Sequence, residues 1–196
     1  MISGMGRAEK KLLRKQSLIE ATVTCVNRYG YAQSTIQRIA AEAGLTGGTI
    51  YRHFSNKRDL FEATMRHLLK LVLTEERQAV AAESSDRERL QAVVSSKFSP
   101  PLFNPHFCTV WLHFWAHAQS DPAFARIERL SDRLLRRSLY RYASKLMTEG
   151  EAHEFIAEIT LIIDGLWVAH AQRGSDLSAQ SANAVAQGCL EARLGR

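Results

Sequence analysis

Ser34-Thr-Ile-Gln-Arg-Ile-Ala-Ala-Glu-Ala-Gly-Leu-Thr-Gly-Gly-Thr-Ile-Tyr-Arg-His-Phe-Ser-Asn-Lys57 reads as two short helices joined by a glycine-containing turn and followed by the start of a third. Thr35 stands as N-cap to a first helix in which Ile36, Ile39, Ala40 and Ala43 recur at helical spacing. One side of that helix is therefore apolar, and Gln37, Arg38 and Glu42 face outward. Gly44 falls where the helix must stop, because a residue without Cβ enters the left-handed backbone region at little cost. Thr46 is the expected cap of the second helix, with Ile50 and Phe54 turned inward. Thr46, Gly47, Thr49, Tyr51, Arg52 and His53 are then left for a partner. Bare N–H groups and the helix dipole at its start favour an anion. Ser55 or Asn56 caps the next helix, whose first turn carries Lys57 and Arg58; cations there oppose the dipole, and a neighbouring phosphate gives them a reason. Two helices across a tight turn, with a free polar face, have the shape of a DNA-reading unit spanning about residues 34–53.

The charge distribution points the same way. The chain of 196 residues has a net charge of +6, and residues 1–60 hold 10 Lys/Arg against 4 acids while residues 61–196 hold 16 of each. The whole excess thus sits with the motif, as an electrostatic footprint on a polyanion should. Any single charge run is more often a solvated face.

Composition sets the frame. At 45% hydrophobic and 23% charged residues the chain is globular material for one or two domains. No apolar run is long enough for a membrane span, and Met1 to Arg7 lacks the apolar core of a secretion signal, so a cytoplasmic address is expected. Cys25, Cys108 and Cys189 match no metal or redox spacing and read as free thiols.

Periodicity gives an all-α chain of about nine helices. The first runs from about Glu9 to Tyr29, with Leu18, Ala21, Thr22, Cys25, Val26 and Tyr29 on one stripe, and ends at Gly30. After the motif, a long helix spans about Asn56–Ala82; Leu60, Phe61, Met65, Leu68 and Leu69 pack under the reading unit. Ser84-Ser85-Asp86 opens a helix to about Phe98, broken by Ser99-Pro100-Pro101. Helices of about Asn104–Gln119, Pro122–Met147, Glu151–Gln172 and Ser178–Leu194 follow, separated by Asp121-Pro122, Gly150 and Gly174-Ser175-Asp176. The expected division is a three-helix DNA-binding domain over 8–68 and a helical ligand-binding and dimerisation domain over 69–196.

The spaced residues Thr35, Ile39-Ala40, Ala43-Gly44-Leu45-Thr46, Gly48, Tyr51, His53-Phe54, Lys57 and Leu60 resemble the N-terminal signature of tetracycline-repressor-type (TetR) regulators. Trp111-Leu-His-Phe-Trp115 and Ile163-Asp-Gly-Leu-Trp167, with Arg126 to Leu139 between them, resemble the choline-sensing repressors of glycine betaine synthesis within that family. The resemblance implies a homodimer built on the last two helices, and a palindromic operator with half-sites about one helical turn apart or slightly more. By similarity, Thr35, Tyr51, His53 and Lys57 map onto phosphate-holding positions, and Arg38, Thr46, Gly47 and Thr49 onto base-facing ones. Gly47-Gly48 departs from a rich base-reading set and leaves backbone approach, Thr methyl contacts and Arg38 to discriminate. Arg7, Lys10 and Lys11 add a minor-groove or phosphate-binding arm. Packing of Tyr51 on the next helix, and packing or plain exposure of His53, stay open as alternatives.

All three tryptophans, Trp111, Trp115 and Trp167, lie in the neutral part of the chain, with Phe107 and Phe114 near the first two. Aromatic faces attract a desolvated quaternary ammonium by roughly 0.5–2 kcal/mol each, so converging rings make a choline site, with Asp164 or Glu158 completing the charge balance. A core or dimer interface is the competing reading of the same rings, and a different cationic or apolar effector, for efflux or catabolic genes, is the competing regulator. His113 and His117 are spaced like zinc ligands but no third ligand is evident. Arg126, Arg129, Arg133, Arg136, Arg137 and Arg141, interleaved with Glu128 and Asp132, read as a solvated helix face. No cofactor is implied. A ligand-independent DNA-binding protein remains a second class; an enzyme is a third, without a phosphate loop, nucleophile elbow or acid/base pair to support it.

Overall fold

The computed structural model describes residues 6–172 and 175–195. These residues form nine helices and no strand: α1 (Arg7–Gln33), α2 (Ile36–Glu42), α3 (Gly47–Ile50), α4 (Lys57–Ala81), α5 (Asp86–Ser96), α6 (Pro105–Ala118), α7 (Pro122–Ala143), α8 (Glu149–Ala171) and α9 (Ala179–Leu194). They divide into two compact units, one reaching to His67 and one starting at Leu68, with α4 running through the division. The separator expected at Gly174 lies outside the described residues.

In the first unit, α1 packs on α2 and α2 on α3. Leu18, Val26, Ile39, Ile50, Leu60, Phe61 and Met65 are fully buried there. Gly30 breaks α1 where expected, at φ 72°, ψ 170°, and the Ser34 hydroxyl donates to its carbonyl at 2.7 Å. Tyr29 leaves the buried stripe: it is exposed, with the Arg38 guanidinium 4.7 Å above its ring. A phenol adjoining the break gains more from that cation than from a core already filled by aliphatic side chains. Gly44 closes α2 at φ 65°, as Leu45 N–H bonds the Ala40 carbonyl (2.8 Å) and Gly44 N–H that of Ala41 (3.0 Å). This paired closure is the Schellman arrangement.

In the second unit α6 packs on α7 and α8, α5 on α7 and α9, and α8 on α9. Its helices are capped by their own sequence. Ser85 and Glu88 form a capping box on α5, and Thr148 and Glu151 form one on α8. Asn104, Asp121 and Ser178 cap α6, α7 and α9. Two boundaries differ from the sequence reading for this reason. The Thr148 box starts α8 at Glu149, so Gly150 sits inside the helix rather than separating two. Helix α7 stops at Ala143, short of Met147, and residues 144–147 form a closing turn. No helix among the described residues is long and apolar enough to cross a membrane.

Candidate nucleic-acid interface and ligand cleft

The reading face is built on α2 and α3. The Thr35 hydroxyl accepts from Arg38 N–H at 3.2 Å and fixes the start of α2, while Arg38 Nη1 donates to the Gln33 carbonyl at 3.0 Å. Thr35 and Arg38 are exposed on one side of the turn, and Thr46 and Tyr51 on the other. Helix α3 is shorter than expected: after Ile50 the chain tightens through 51–53, with His53 N–H bonded to the Ile50 carbonyl at 2.8 Å. Thr46 occupies the N-cap position, but its hydroxyl pairs with that of Thr49 at 3.1 Å instead of capping a backbone N–H. The third helix start is capped by Asn56, whose side chain accepts from Asp59 N–H at 2.9 Å.

Tyr51 is 59% exposed. No atom stands within 4 Å of a Cβ built at Gly47 or Gly48, and neither has positive φ. The fold itself therefore does not require glycine at these two positions. His53 is half-buried, and among the described residues its Nδ1 is buried with no hydrogen-bond partner. Burial, then the charges of Lys11, Arg14, Lys15 and Arg52, hold its imidazolium below the ordinary histidine range. It lines an open basic groove with Arg7, Lys10, Lys11, Arg14 and Arg52. Lys57 turns inward instead: its ammonium donates to the carbonyls of Tyr31 (2.9 Å) and Ala32 (3.3 Å) and lies 4.8 Å over the Tyr31 ring. Burial lowers its pKa. These contacts tie the start of α4 to the end of α1.

The second unit holds a cleft of about 660 Å³, counting its solvent-open mouth, lined by α4 to α8. Three of its walls are the tryptophans. Trp111 and Trp167 are buried and meet at 78° with centroids 5.8 Å apart, so their faces form a corner; Trp115 is half-buried nearby. The Trp167 indole N–H donates to the Lys97 carbonyl at 3.1 Å, which satisfies the edge and leaves the face. Lys97 is itself buried, with its ammonium 2.5 Å from the Glu76 carboxylate. Burial lowers the Lys97 pKa and Glu76 opposes that. Asp164, on the cleft wall, has its carboxyl pushed up to about 6, first by burial and then by Asp132 and Glu128, which line the same cleft.

The expected ligand residues divide. Trp111, Trp115, Trp167 and Asp164 line the cleft. Phe107 stands behind them, stacked on Trp111 (6.0 Å, 13°) and edge-on to Trp167 (5.8 Å, 89°). Phe114 belongs to the core, fully buried against Phe124 at 5.8 Å, because three residues on from Trp111 the helix faces α7 rather than the opening. Glu158 is on the exposed side of α8 and pairs with Arg193. Glu76, Lys97, Glu128, Asp132 and Thr160 were missed; the acidic pair Glu128 and Asp132, four apart on α7, was the signal available for two of them. The α7 arginines are exposed as expected, and Arg136 pairs with Asp132 at 2.7 Å. His113 and His117 gain no third ligand: among the described residues no group of three His, Cys, Asp or Glu side chains is placed to hold a metal.

Residues 18–64 match the family model of bacterial regulatory proteins of the tetR family, and residues 86–195 match that of the BetI-type transcriptional repressor C-terminal domain. The chain belongs to the BetI-type regulators of the TetR family. It is 33% identical over 175 residues to the HTH-type transcriptional regulator BetI of Serratia proteamaculans, covering 88% of each chain. It is 32% identical over 186 residues to that of Pseudomonas aeruginosa, covering 94% of each. Among solved structures, a transcriptional regulator from Pseudomonas aeruginosa superposes with a TM-score of 0.80 at 25% identity, over 94% of this chain and 91% of the other. A transcriptional regulator from Saccharomonospora viridis in complex with choline superposes with a TM-score of 0.78 at 22% identity, over 90% of this chain and 95% of the other. As a BetI-type TetR regulator, the chain carries the all-α architecture of an N-terminal helix-turn-helix domain followed by a helical C-terminal domain.

Proposed function

We propose that this BetI-type regulator represses transcription as a homodimer that binds a palindromic operator through residues 8–68, and that uptake of a choline-like quaternary ammonium by residues 69–196 weakens operator binding. The observation that carries the reading is the cleft, in which the corner of Trp111 and Trp167 is joined by Trp115, Glu128, Asp132 and Asp164. Ring faces attract a cation that has shed its water, and carboxylates balance its charge. The choline complex of the Saccharomonospora viridis neighbour supports the same ligand class.

For DNA, the support is the exposed face of Thr35, Arg38, Thr46 and Tyr51 with the half-buried Thr49 beside them, the bare backbone at Gly47, and the basic groove at His53. For the dimer, it is one face of α8 (Ala157, Leu161, Gly165, Val168) and one of α9 (Ser181, Val185, Gly188, Ala192), exposed and built of small or apolar residues that let helices approach closely. The test is a titration of choline against tryptophan fluorescence alongside operator affinity measured with and without choline. Saturable quenching in the micromolar to millimolar range, with weaker DNA binding, is expected. No quenching and unchanged DNA affinity would remove choline as effector.

A further inference from the structure

Helix α7 segregates its charges. Its six arginines, Arg126, Arg129, Arg133, Arg136, Arg137 and Arg141, are all exposed, and at about 100° per residue they fall within a sector of about 140°. Its two acids, Glu128 and Asp132, stand outside that sector and line the cleft. A solvated helix face gains most when opposite charges stand four residues apart. Here Arg129, Arg133, Arg137 and Arg141 follow one another at that interval, so each like pair works against the helix. Arg136 pairs with Asp132 at 2.7 Å; among the described residues the other five arginines pair with no carboxylate. On the neighbouring helix, Glu154 and Glu158 are taken by Arg193 of α9.

The middle of this stripe walls an open groove between α7 and α8, of about 1070 Å³ counting the solvent above it. Arg129, Arg133, Arg136 and Arg137 line it, with the rings of Tyr140 and His153, whose centroids are 5.3 Å apart. Asp132 is the carboxylate in the lining, and Arg136 already engages it. The groove is therefore cationic, in a unit whose charges otherwise balance.

We propose that the arginine stripe of α7 is a second DNA-binding surface, one that holds the phosphates of a duplex without regard to sequence. Charge complementarity carries the assignment. From Arg126 to Arg141 the stripe runs about 22 Å, and a duplex presents about one negative charge per 1.7 Å of its axis along such a row. Every cation of the stripe is arginine, whose planar guanidinium offers paired N–H groups to the oxygens of a phosphate. Contacts of that kind position a nucleic acid and carry no sequence information themselves. The like-charge ladder fits the same reading: it conflicts with helix stability inside the chain and is relieved by counter-charge from outside. The stripe is distinct from the face on α2 and α3, and it lies off the α8 and α9 faces assigned to the dimer. A dimer thus carries two copies of it, and a dimer seated on one duplex can retain another.

The experiment uses the full chain and duplex DNA as the probe. A duplex covering its own promoter region is fixed to beads and loaded with protein, and retention of a second, labelled duplex of unrelated sequence is measured over a salt series. The parent is expected to retain it. The triple variant Arg129→Ala, Arg133→Ala, Arg137→Ala should load on the beads as the parent does yet retain at least about tenfold less of the second duplex, with the salt slope of that retention lower by about two to three. The matching triple Arg→Lys variant should keep most of the retention, because the point charges remain. The alanine variant should also melt no lower than the parent, since three like charges have left one helix face, and this separates a lost surface from a lost fold. Retention unchanged in the alanine variant would overturn the proposal and leave the reading face intact, as would a parent that binds the promoter duplex and retains no other. Polyglutamate displacing the labelled duplex as well as unlabelled duplex does at equal charge would assign the stripe to an acidic protein, and capture by anionic phospholipid vesicles without duplex retention would assign it to a membrane surface; either result overturns the assignment to DNA.

Discussion

The indole N–H of Trp167 donates to the backbone carbonyl of Lys97 at 3.1 Å, across 70 residues of sequence, and so ties the aromatic wall on α8 to the residue following α5. Replacing Trp167 with Phe keeps a ring face and strands a buried carbonyl, at a cost of about 1–3 kcal/mol. Urea denaturation should register that loss. Because the face remains, affinity for choline should fall far less than in Trp167→Ala, where the wall itself is gone.

Lys97 and Glu76 make a second prediction. Lys97→Met leaves the Glu76 carboxylate nearly buried without its cation, and is expected to cost about 3–5 kcal/mol. Adding Glu76→Leu removes the stranded charge and should restore most of that stability. A double-mutant cycle in urea checks it; a double variant as unstable as Lys97→Met alone would contradict the pairing.

Acid titration tests Asp164. Its folded pKa, about 6, lies above that of an unfolded aspartate, so the folded state binds the extra proton and Asp164 opposes stability as pH rises through that window. Asp164→Asn should therefore be more stable than the parent near neutral pH and equal to it near pH 4. A bound cation favours the ionised carboxylate, so choline binding releases a proton and its affinity should drop as pH falls below about 6. Calorimetry in buffers of different ionisation enthalpy measures the proton.

Gly47 and Gly48 separate fold from function. Neither needs glycine for space or for φ, so Gly48→Ala should stabilise the chain by about 0.4–1 kcal/mol through a stiffer unfolded state. If the bare backbone is there for close approach to DNA, the same change weakens operator binding. Thermal melts and gel-shift titrations should move in opposite directions.

Lys57 and Lys11 are expected to part company. About eight neutralised phosphates per dimer correspond to a log affinity versus log salt slope near −7. Lys11→Ala, in the open groove beside His53, should reduce the steepness by about one per contact removed, while Lys57→Ala should chiefly lower the melting temperature, since its ammonium holds the Tyr31 and Ala32 carbonyls. Binding isotherms at several salt concentrations distinguish the two.

The sequence by itself determined the helices and their kind. Caps, glycines and 3.6-residue periodicity are local codes, so Thr35, Gly44 and Ser85 could be read as boundaries, and the charge excess before Leu60 marked the face meant for a polyanion. Where local codes competed, the reading slipped, as at Gly150, which lost to the Thr148 box. Tertiary structure alone decided which side chains meet. Phe114 and Trp111 share a helix, yet one enters the core and the other the cleft, because a 300° step along the helix turns them to different neighbours. Lys57 carries the same charge as Lys11, and only the approach of the α1 carbonyls turns it inward. Glu76, Lys97, Asp132 and Asp164 come from four separate stretches of the chain, and no spacing rule links them. Their union depends on packing, which is set by non-local contacts, and it is there that the cleft acquires its charge.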